Sequence, residues 1–316
     1  MTDTPLAPPR SQWADVWHQF RHHRGAMFGA FVFVFLVAAV YLGPLVWTVD
    51  PQFLPRGRDF LDLRDTRPIY VALWDGGAKV SWAHPLGTDN LGRDTLARLM
   101  FGGRVSIAVG LTAMVLSVLL GTFIGILAGF FRRLDGPLMR LTDLFLALPL
   151  LPLILVASLL FREALAARFG PEGGVFILIV TLIGLTSWMQ TARIVRGDVL
   201  ALKEREFVLA ARSIGTTDTR LITRHMLPNI LSPILVSATL GIATAIITES
   251  ALSFLGFGFP PDFPTWGRLL NDGVVRLSSY PERPIWPGIL ISLTVLSVNY
   301  LGDGLRDALD PRIRGR

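Results

Sequence analysis

The sequence predicts an all-α, polytopic membrane protein with six transmembrane helices, and three observations lead to this fold class. Hydrophobic residues make up 51% of the 316 residues and charged residues 17%, whereas an ordinary soluble domain is about 25% charged. Six stretches come close to the roughly 20 apolar residues that a helix needs to cross a bilayer. Cysteine is absent, which excludes disulfides, thiolate nucleophiles and cysteine-based metal sites.

The six predicted helices lie at 27–47, 105–131, 141–161, 175–195, 231–255 and 286–302. The first is too long for the apolar core of a signal peptide, and no A-x-A cleavage pattern follows it, so we expect an uncleaved anchor. Pro149 and Pro152 should kink the third helix, because each proline removes a backbone donor.

These stretches divide the chain into five parts. A cytoplasmic N-terminal segment, 1–26, precedes the anchor helix, and an extracytoplasmic loop, 48–104, follows it. The transmembrane core, 105–302, contains a long polar loop at 196–230, and a cytoplasmic tail, 303–316, ends the chain. Both termini are placed inside because arginines flank the apolar stretches on that side, namely Arg21, Arg24, Arg132, Arg133, Arg193 and Arg196.

Small residues recur along two of the apolar stretches. Gly121, Gly125 and Gly129 are spaced four residues apart, so they share one helix face and predict the close approach of another helix. The fifth stretch also has a face of small or weakly polar residues, which either pack against a neighbour or line a water-filled path. These residues are Ser237, Gly241, Thr244 and Thr248.

Two stronger polar side chains interrupt the apolar stretches. Glu249 is the one acid deep within such a run, and an ionisable residue inside a membrane is a functional candidate. It also lies near the outer end of its helix, where it could pair with an outer arginine or a backbone group, and both interpretations stand. Asn299 is a weaker candidate, because amides often form interhelical hydrogen bonds.

The polar loop at 196–230 contains helix signals of its own. Residues 204–214 favour a helix, and Gly215 stands where a left-handed C-terminal cap is expected. Residues 216–218 offer an N-cap for a second short helix, and Pro228 should mark its exit. The loop is therefore predicted to form a helix–turn–helix unit.

Ala210 and Ala211 would give this unit a flat surface of small side chains that could seat in a partner's groove. The alternative is an amphipathic element that lies on the membrane with its arginines on lipid phosphates. Composition does not decide between the two.

The loop resembles the E-A-A…G…L-P signature of ABC importer permeases, and the residues that match its spacing are Ala210, Ala211, Gly215, Leu227 and Pro228. Leu209 stands where the family has glutamate, and Glu206, one turn earlier, is the candidate replacement. Three further segments resemble the C-type permease of the dipeptide/oligopeptide subfamily. They are HPLGTDNLGRD (84–94), ESALSFLGFG (249–258) and GDGLRDALDPR (302–312).

The resemblance implies the fold of a type I ABC importer permease in a bacterial inner membrane. Such a permease pairs with a second, related permease above two ABC ATPase subunits, and an extracytoplasmic binding protein delivers the solute. The implied ATPase-coupling residues are Glu206, Ala210, Ala211, Arg212, Gly215, Leu227 and Pro228. The implied translocation path contains Thr244, Thr248, Glu249 and Asn299.

We expect no catalytic residue and no cofactor in this chain, with ATP bound by the partner ATPases. A phosphate-binding P-loop requires Gly-Lys followed by Ser or Thr, but the two lysines, Lys79 and Lys203, follow alanine and leucine. The basic residues are spread over the loops, which argues against nucleic-acid binding and leaves membrane lipid as the surrounding partner.

The segment 84–94 also contains His84, Asp89 and Asp94, but their spacing fits no standard zinc pattern, so we expect no metal site. A turn at Gly87 followed by Thr88 as the N-cap of a helix explains the same residues locally.

Peptides are the solutes that the resemblance favours, with nickel chelates, glutathione, opines or sugars as alternatives. An ion-coupled secondary transporter would require inverted halves with acids near the membrane midplane, and only Glu249 hints at this. An intramembrane aspartyl protease is suggested faintly by Y-L-G-D at 300–303, but no clear second aspartate lies within the membrane.

Overall fold

The computed structural model describes residues 12–309. Over that range the chain is helical and contains no β-strand, only three isolated bridges between residues 67 and 94. Six of its helices are long and apolar enough to cross a membrane. The predicted all-α, six-span fold class is confirmed.

The helices follow the order α1 Gln12–His22, α2 Arg24–Val46, α3 Arg58–Leu63, α4 Thr95–Phe130, α5 Arg132–Ala147, α6 Leu150–Phe169, α7 Pro171–Lys203, α8 Glu206–Ser213, α9 Asp218–Arg220, α10 Leu227–Phe254, α11 Trp266–Val274 and α12 Ile285–Leu309. A 3-10 turn, Ile69–Leu73, lies between α3 and α4, and a π-helical turn, Leu221–Met226, joins α9 to α10. The spanning helices are α2, α4, α6, α7, α10 and α12, and α9 with its π turn extends α10.

Several spanning helices are longer than the apolar stretches that predicted them. The 36 residues of α4 are about 54 Å long at 1.5 Å per residue, whereas a hydrocarbon core is about 30 Å thick. Helix α4 begins at Thr95 instead of 105, and α12 continues to Leu309 instead of ending at 302. The apolar stretches therefore mark the membrane-crossing part of each helix and not its ends.

The single kinked helix predicted at 141–161 is wrong. Two helices are present instead, since α5 ends at Ala147 and α6 begins at Leu150. Pro149 is the N-cap of α6, and Pro152 lies in its first turn, where a missing N–H leaves no intrahelical bond unmade. The two prolines therefore start a new helix.

The contacts between helices define two ends of the bundle, which we name the α8 end and the α11 end. The C-terminus of α4 meets α8 at one end, where the Arg212 guanidinium carbon lies 5.8 Å from the centroid of the Phe130 ring. At the other end, Trp47 follows α2 and donates from Nε1 to Asp94 Oδ1, at the start of α4, at 3.1 Å. Helix α1 and the last turn of α12 both lie at the α8 end, where His23 and Asp307 approach to 3.4 Å.

Helices α4 and α7 form the most extensive helix pair of the described chain, and three glycines make their close approach possible. A Cβ added at Gly121 would stand 2.6 Å from the Trp188 carbonyl oxygen, and one at Gly125 would stand 2.7 Å from that of Ala192. At Gly129 it would stand 2.8 Å from the Val199 side chain. The predicted packing face of small residues is confirmed, and its partner is α7.

We expect Gly125→Ala to lower the thermal unfolding midpoint of the purified protein, because the added methyl group collides with backbone that cannot rotate away. Overpacking of this kind costs about 1–3 kcal/mol. The matched control is Gly197→Ala on α7, where an added Cβ meets no atom within 4 Å. Equal midpoints for the two variants would show that the α4–α7 contact does not depend on the glycine.

Candidate functional site

The loop between α7 and α9 is built around a left-handed glycine. Gly215 has a φ of +79°, which confirms the predicted C-terminal cap. The Gly215 N–H donates to the Arg212 carbonyl at 3.0 Å, and the Thr216 N–H donates to the Ala211 carbonyl at 3.2 Å. This pair of bonds is a Schellman motif, which satisfies the last carbonyls of α8 and fixes the exit direction of the chain.

Helix α8 has one buried face and one exposed face. Val208 and Ala211 are buried in a cluster with Leu221, Met226 and Ile230. The prediction that Ala210 and Ala211 form one flat surface is therefore wrong for Ala211, which points into the protein. Ala211 lies about 100° around the helix from Ala210 and on the side of α8 that Val208 also occupies, three residues earlier.

The exposed side of the loop carries large apolar side chains among charged ones. Ile214 is 84% exposed, Leu209 is 45% exposed and Phe207 is 44% exposed, and Ala210 lies among them. Glu206, the candidate replacement for the missing glutamate, is exposed in the first turn of α8. An exposed apolar surface of this kind at the end of a membrane bundle is typical of a contact with another protein or with the membrane surface.

The loop is held firmly on the end of α4. Arg212 lies over the Phe130 ring with its guanidinium carbon 5.8 Å from the ring centroid, and Lys203 donates to the Phe130 and Gly129 carbonyls. Nearby, Arg196 donates to both oxygens of Asp135, from Nε at 2.5 Å and from Nη2 at 2.8 Å. These hydrogen bonds hold the pKa of the Asp135 carboxyl below its usual range.

The loop continues into α10 without a break. The prediction that Pro228 marks the exit of a separate short helix is wrong, because residues Asp218–Phe254 form one helical rod. The Leu227 N–H donates to the Ile222 carbonyl, five residues back, so the rod contains a π turn just before Pro228. The extra residue in that turn lets the rod accommodate the proline, and π turns often occur at functional sites.

A cavity of about 830 Å³ lies beside α10 and reaches towards the α8 end. Helices α4, α7, α10 and α12 and the α5–α6 break all contribute to its wall. Polar side chains along α7 and α10 face it, namely Thr186, Ser187, Gln190, Thr191, Asp198, Ser232, Ser237 and Thr244. Thr191 Oγ1 and Ser237 Oγ are 2.8 Å apart and join the two helices across this wall.

The polar residues on α7 follow helical periodicity, and the sequence analysis did not select them. Thr186, Gln190 and Asp198 lie four or eight residues apart, which places them on one face along about 18 Å of helix. The spacing is visible in the sequence. The sequence alone, however, does not show whether such isolated polar residues line a cavity or, as for Asp198 near the end of α7, contact solvent.

The structure brings only part of the predicted path set to this cavity. Thr244 lines it, together with Ser237 and Gly241 from the same face. Thr248 is buried and donates to the Thr244 carbonyl at 2.8 Å, so it is not part of the lining. Asn299 is half-buried on α12, away from the cavity. The roles of these residues in a path stay predictions.

Glu249 is fully buried near the end of α10, where it meets the start of α11. Its Oε1 accepts a hydrogen bond from Ser253 Oγ at 2.7 Å. Ser106 and Thr265, both fully buried, lie around it, and Ser106 Oγ accepts from the Trp266 N–H at the first residue of α11. One oxygen of Glu249 therefore bonds inside the protein, whereas its Oε2 is buried without a hydrogen-bond partner in the structure, so both interpretations of this residue stand.

The segment 84–94 leads into α4 in a different way from the prediction. Asp94, and not Thr88, is the N-cap, since its Oδ1 accepts from the Ala97 N–H at 2.6 Å. His84 Nδ1 lies 2.6 Å from Asp94 Oδ2, and Thr88 instead faces Thr66 with their hydroxyl oxygens 2.8 Å apart. Gly87, at a φ of +74°, makes the predicted turn.

Two ion pairs connect the segment before α4 with the segment before α12. Arg67 donates to both oxygens of Glu282, from Nε at 2.7 Å and from Nη2 at 2.9 Å. Burial opposes the ionisation of Glu282, but the hydrogen bonds from Arg67 outweigh it and hold the pKa of its carboxyl below the usual range. Arg283 donates to Asp65 Oδ1 at 2.8 Å. The extracytoplasmic loop predicted at 48–104 is thus a folded layer.

Two family profiles match the chain. Residues 121–315 match the profile described as "Binding-protein-dependent transport system inner membrane component". Residues 11–63 match the profile described as "N-terminal TM domain of oligopeptide transport permease C". The second match ends at the last residue of α3 and does not include the folded segment between α3 and α4.

Curated relatives are similar over nearly the whole chain. The oligopeptide transport system permease protein OppC of Bacillus subtilis is 35% identical over 96% of this chain and 91% of its own length. The di/tripeptide transport system permease protein DppC of Pseudomonas aeruginosa is 36% identical over 99% and 96%. A putative peptide transport system permease protein of Brucella suis is 43% identical over 73% and 74%.

We expect Glu249→Gln to keep the unfolding midpoint near that of the unchanged protein, because glutamine retains the size and an acceptor for Ser253. Glu249→Ala should lower it, because a void and unpaired hydroxyls together cost about 2–4 kcal/mol. Thermal unfolding and solute uptake should be measured on both variants. A Glu249→Gln variant that is fully stable and assembled yet does not transport would instead assign Glu249 to the path.

Proposed function

This chain belongs to the family of binding-protein-dependent transport system inner membrane components, and we propose that it forms half of the peptide path of an ATP-driven importer. Family membership makes it a multi-pass inner-membrane permease subunit and not an enzyme. The relatives' names refer to oligopeptides and di/tripeptides, which favours peptides over nickel chelates, glutathione or opines.

One observation carries the proposal: the exposed loop leads directly into, and packs against, the helical rod that forms part of the cavity wall. The rod begins at Asp218, directly after the exposed residues around Gly215, and reaches Ser237 and Thr244 on the cavity. A push on the loop is therefore transmitted along backbone hydrogen bonds to the wall of the cavity. A loop that merely rested on lipid would have no need of such a connection.

We propose that the exposed face formed by Phe207, Leu209, Ala210 and Ile214 docks on an ABC ATPase. ATP is bound and hydrolysed there, because this chain has no P-loop sequence. Two ATPases serve the importer, one below this chain and one below a second, related permease that closes the other half of the path. An extracytoplasmic binding protein delivers the solute at the α11 end.

The coupling step follows from the way the loop is held. The Schellman motif and the Arg212–Phe130 contact keep α8 rigid, so that movement of the ATPase surface displaces α8 and α9 together. The π turn at Leu221–Met226 is an irregular point of this rod between the loop and the cavity. We propose that it acts as the joint at which α10 tilts and changes the width of the cavity.

We expect Ile214→Glu and Gly215→Val to uncouple ATP hydrolysis from uptake or to release the ATPase. The first places a charge in an apolar contact, and the second strains a left-handed residue by about 1–2 kcal/mol. Affinity for the solute-loaded binding protein should not change. ATPase co-purification, stimulated hydrolysis and uptake in proteoliposomes measure these effects, with Gly197→Val, an exposed helical glycine at the same end, as the control.

If both loop variants keep the ATPase bound and keep uptake coupled, the loop is not the docking element, and the lipid-surface alternative gains support. If the Gly197→Val control fails in the same way as the loop variants, the effect is a general loss of folding at the α8 end.

We propose that the α8 end faces the cytoplasm, with both termini inside. The native absence of cysteine makes the test direct. A cysteine at Arg133, exposed at the start of α5, should react with a membrane-impermeant maleimide only in inside-out vesicles. A cysteine at Asp262, which is 89% exposed in the α10–α11 connection, should react only in right-side-out vesicles. Reaction of both from the same side would contradict the six-span topology.

A further inference from the structure

A surface at the α11 end remains unused by the proposed function. We name residues 68–86, which lie between α3 and α4, the interfacial segment. Three of its large apolar side chains point outwards, with Leu73 84% exposed, Trp74 69% exposed and Trp82 83% exposed. Exposed apolar side chains of this size, close together in one short segment, indicate a contact that the isolated chain does not make.

The two acidic or lysine side chains of the interfacial segment, although partly exposed, form hydrogen bonds with neighbouring protein groups. Asp75 Oδ2 accepts from Arg67 Nη1 at 3.1 Å, and Asp75 Oδ1 accepts from the Gly77 N–H at 3.2 Å. Lys79 Nζ donates to the carbonyls of Leu61 and Arg64. These charged groups use part of their hydrogen-bonding capacity within the protein, while Leu73, Trp74 and Trp82 expose apolar surface without a partner in the isolated chain.

Contacts with the ends of the spanning helices set the level of this segment relative to the membrane. Trp286, the second residue of α12, donates from Nε1 to the Tyr70 hydroxyl at 3.2 Å. The Tyr70 ring contacts the rings of Trp286 and Trp74, with centroids 6.1 and 5.8 Å apart. The Tyr70 ring therefore connects Trp74 to Trp286, in the first turn of the spanning helix α12.

The other end of the segment is tied to two more spanning helices. His84, two residues after Trp82, contacts the Asp94 carboxylate at the start of α4. The same carboxylate accepts a hydrogen bond from Trp47, the residue that follows α2. Contacts thus connect both ends of the interfacial segment to the ends of α2, α4 and α12.

We propose that the interfacial segment lies in the headgroup layer of the leaflet at the α11 end and anchors the folded outer layer to lipid through Leu73, Trp74 and Trp82. Tryptophan favours this layer because its ring is apolar and its N–H can still reach water or a headgroup. A second protein could cover the same side chains, but the contacts to three span ends favour lipid. The proposal needs only the six spans and is independent of the solute and of the ATPase.

Depth measurements with a spin label can test this placement in the complete chain. Single cysteines at Ala72 and Ala83 are exposed neighbours of the apolar side chains and leave both tryptophans in place. The labelled protein, with its partner subunits, is reconstituted in nanodiscs of phosphatidylethanolamine and phosphatidylglycerol. Collision rates with oxygen, which concentrates in lipid, and with a water-soluble nickel chelate are compared. A label at Asp262, exposed at the same end, provides the water-facing control.

The ratio of oxygen to nickel collisions at 72 and 83 should exceed the ratio at 262 several-fold, and added binding protein should not change it. Ratios equal to that at 262 would overturn the proposal. Shielding from both reagents would overturn it in favour of a partner subunit. A nickel collision rate that falls only when binding protein is added would assign the segment to that protein instead.

Discussion

The close approach of α4 and α7 is the contact on which the other features of this protein depend. Between apolar helices in lipid there is little hydrophobic driving force, so contact has to come from dense packing of atoms. The glycines at 121, 125 and 129 permit it by letting the backbone of α7 lie where side chains would otherwise stand. The pair then places the C-terminus of α4 directly against the loop that follows α7.

That placement explains why the exposed loop can be small and still be rigid. At the end of α4, the Phe130 ring contacts the Arg212 guanidinium and the Phe130 carbonyl accepts a hydrogen bond from Lys203. These contacts connect the C-terminal ends of α4, α7 and α8. Helix α8 contributes only eight residues, and an isolated helix of that length would not be stable in water. Its order comes from burying Val208 and Ala211 and from the Schellman motif at Gly215.

The two ends of the protein solve different physical problems. At the α8 end an apolar face is left exposed, which fits a surface that another protein completes. At the α11 end, carboxylates and guanidinium groups pair with one another, as Arg67 does with Glu282, and Glu249 is enclosed with hydroxyl groups. Paired in this way, buried polar groups stabilise a folded outer layer instead of forcing its segments apart.

The sequence by itself determined the features that depend on local chemistry. The six spans follow from apolar length, the α4–α7 contact from glycine spacing, and the left-handed cap from the lack of a side chain at Gly215. The four-segment resemblance to the permease family pointed to the same protein class that the family profiles show.

Only the tertiary structure decided which way the side chains on these helices point. Ala210 and Ala211 are adjacent and chemically identical, yet Ala210 is exposed and Ala211 is buried on the inner face of α8. Glu249 could have faced a path or the protein interior, and Asp198 could have been a solvated helix end instead of part of a cavity wall. These outcomes depend on neighbours far along the chain, and an apolar helix carries no polar stripe strong enough to fix its own rotation in advance.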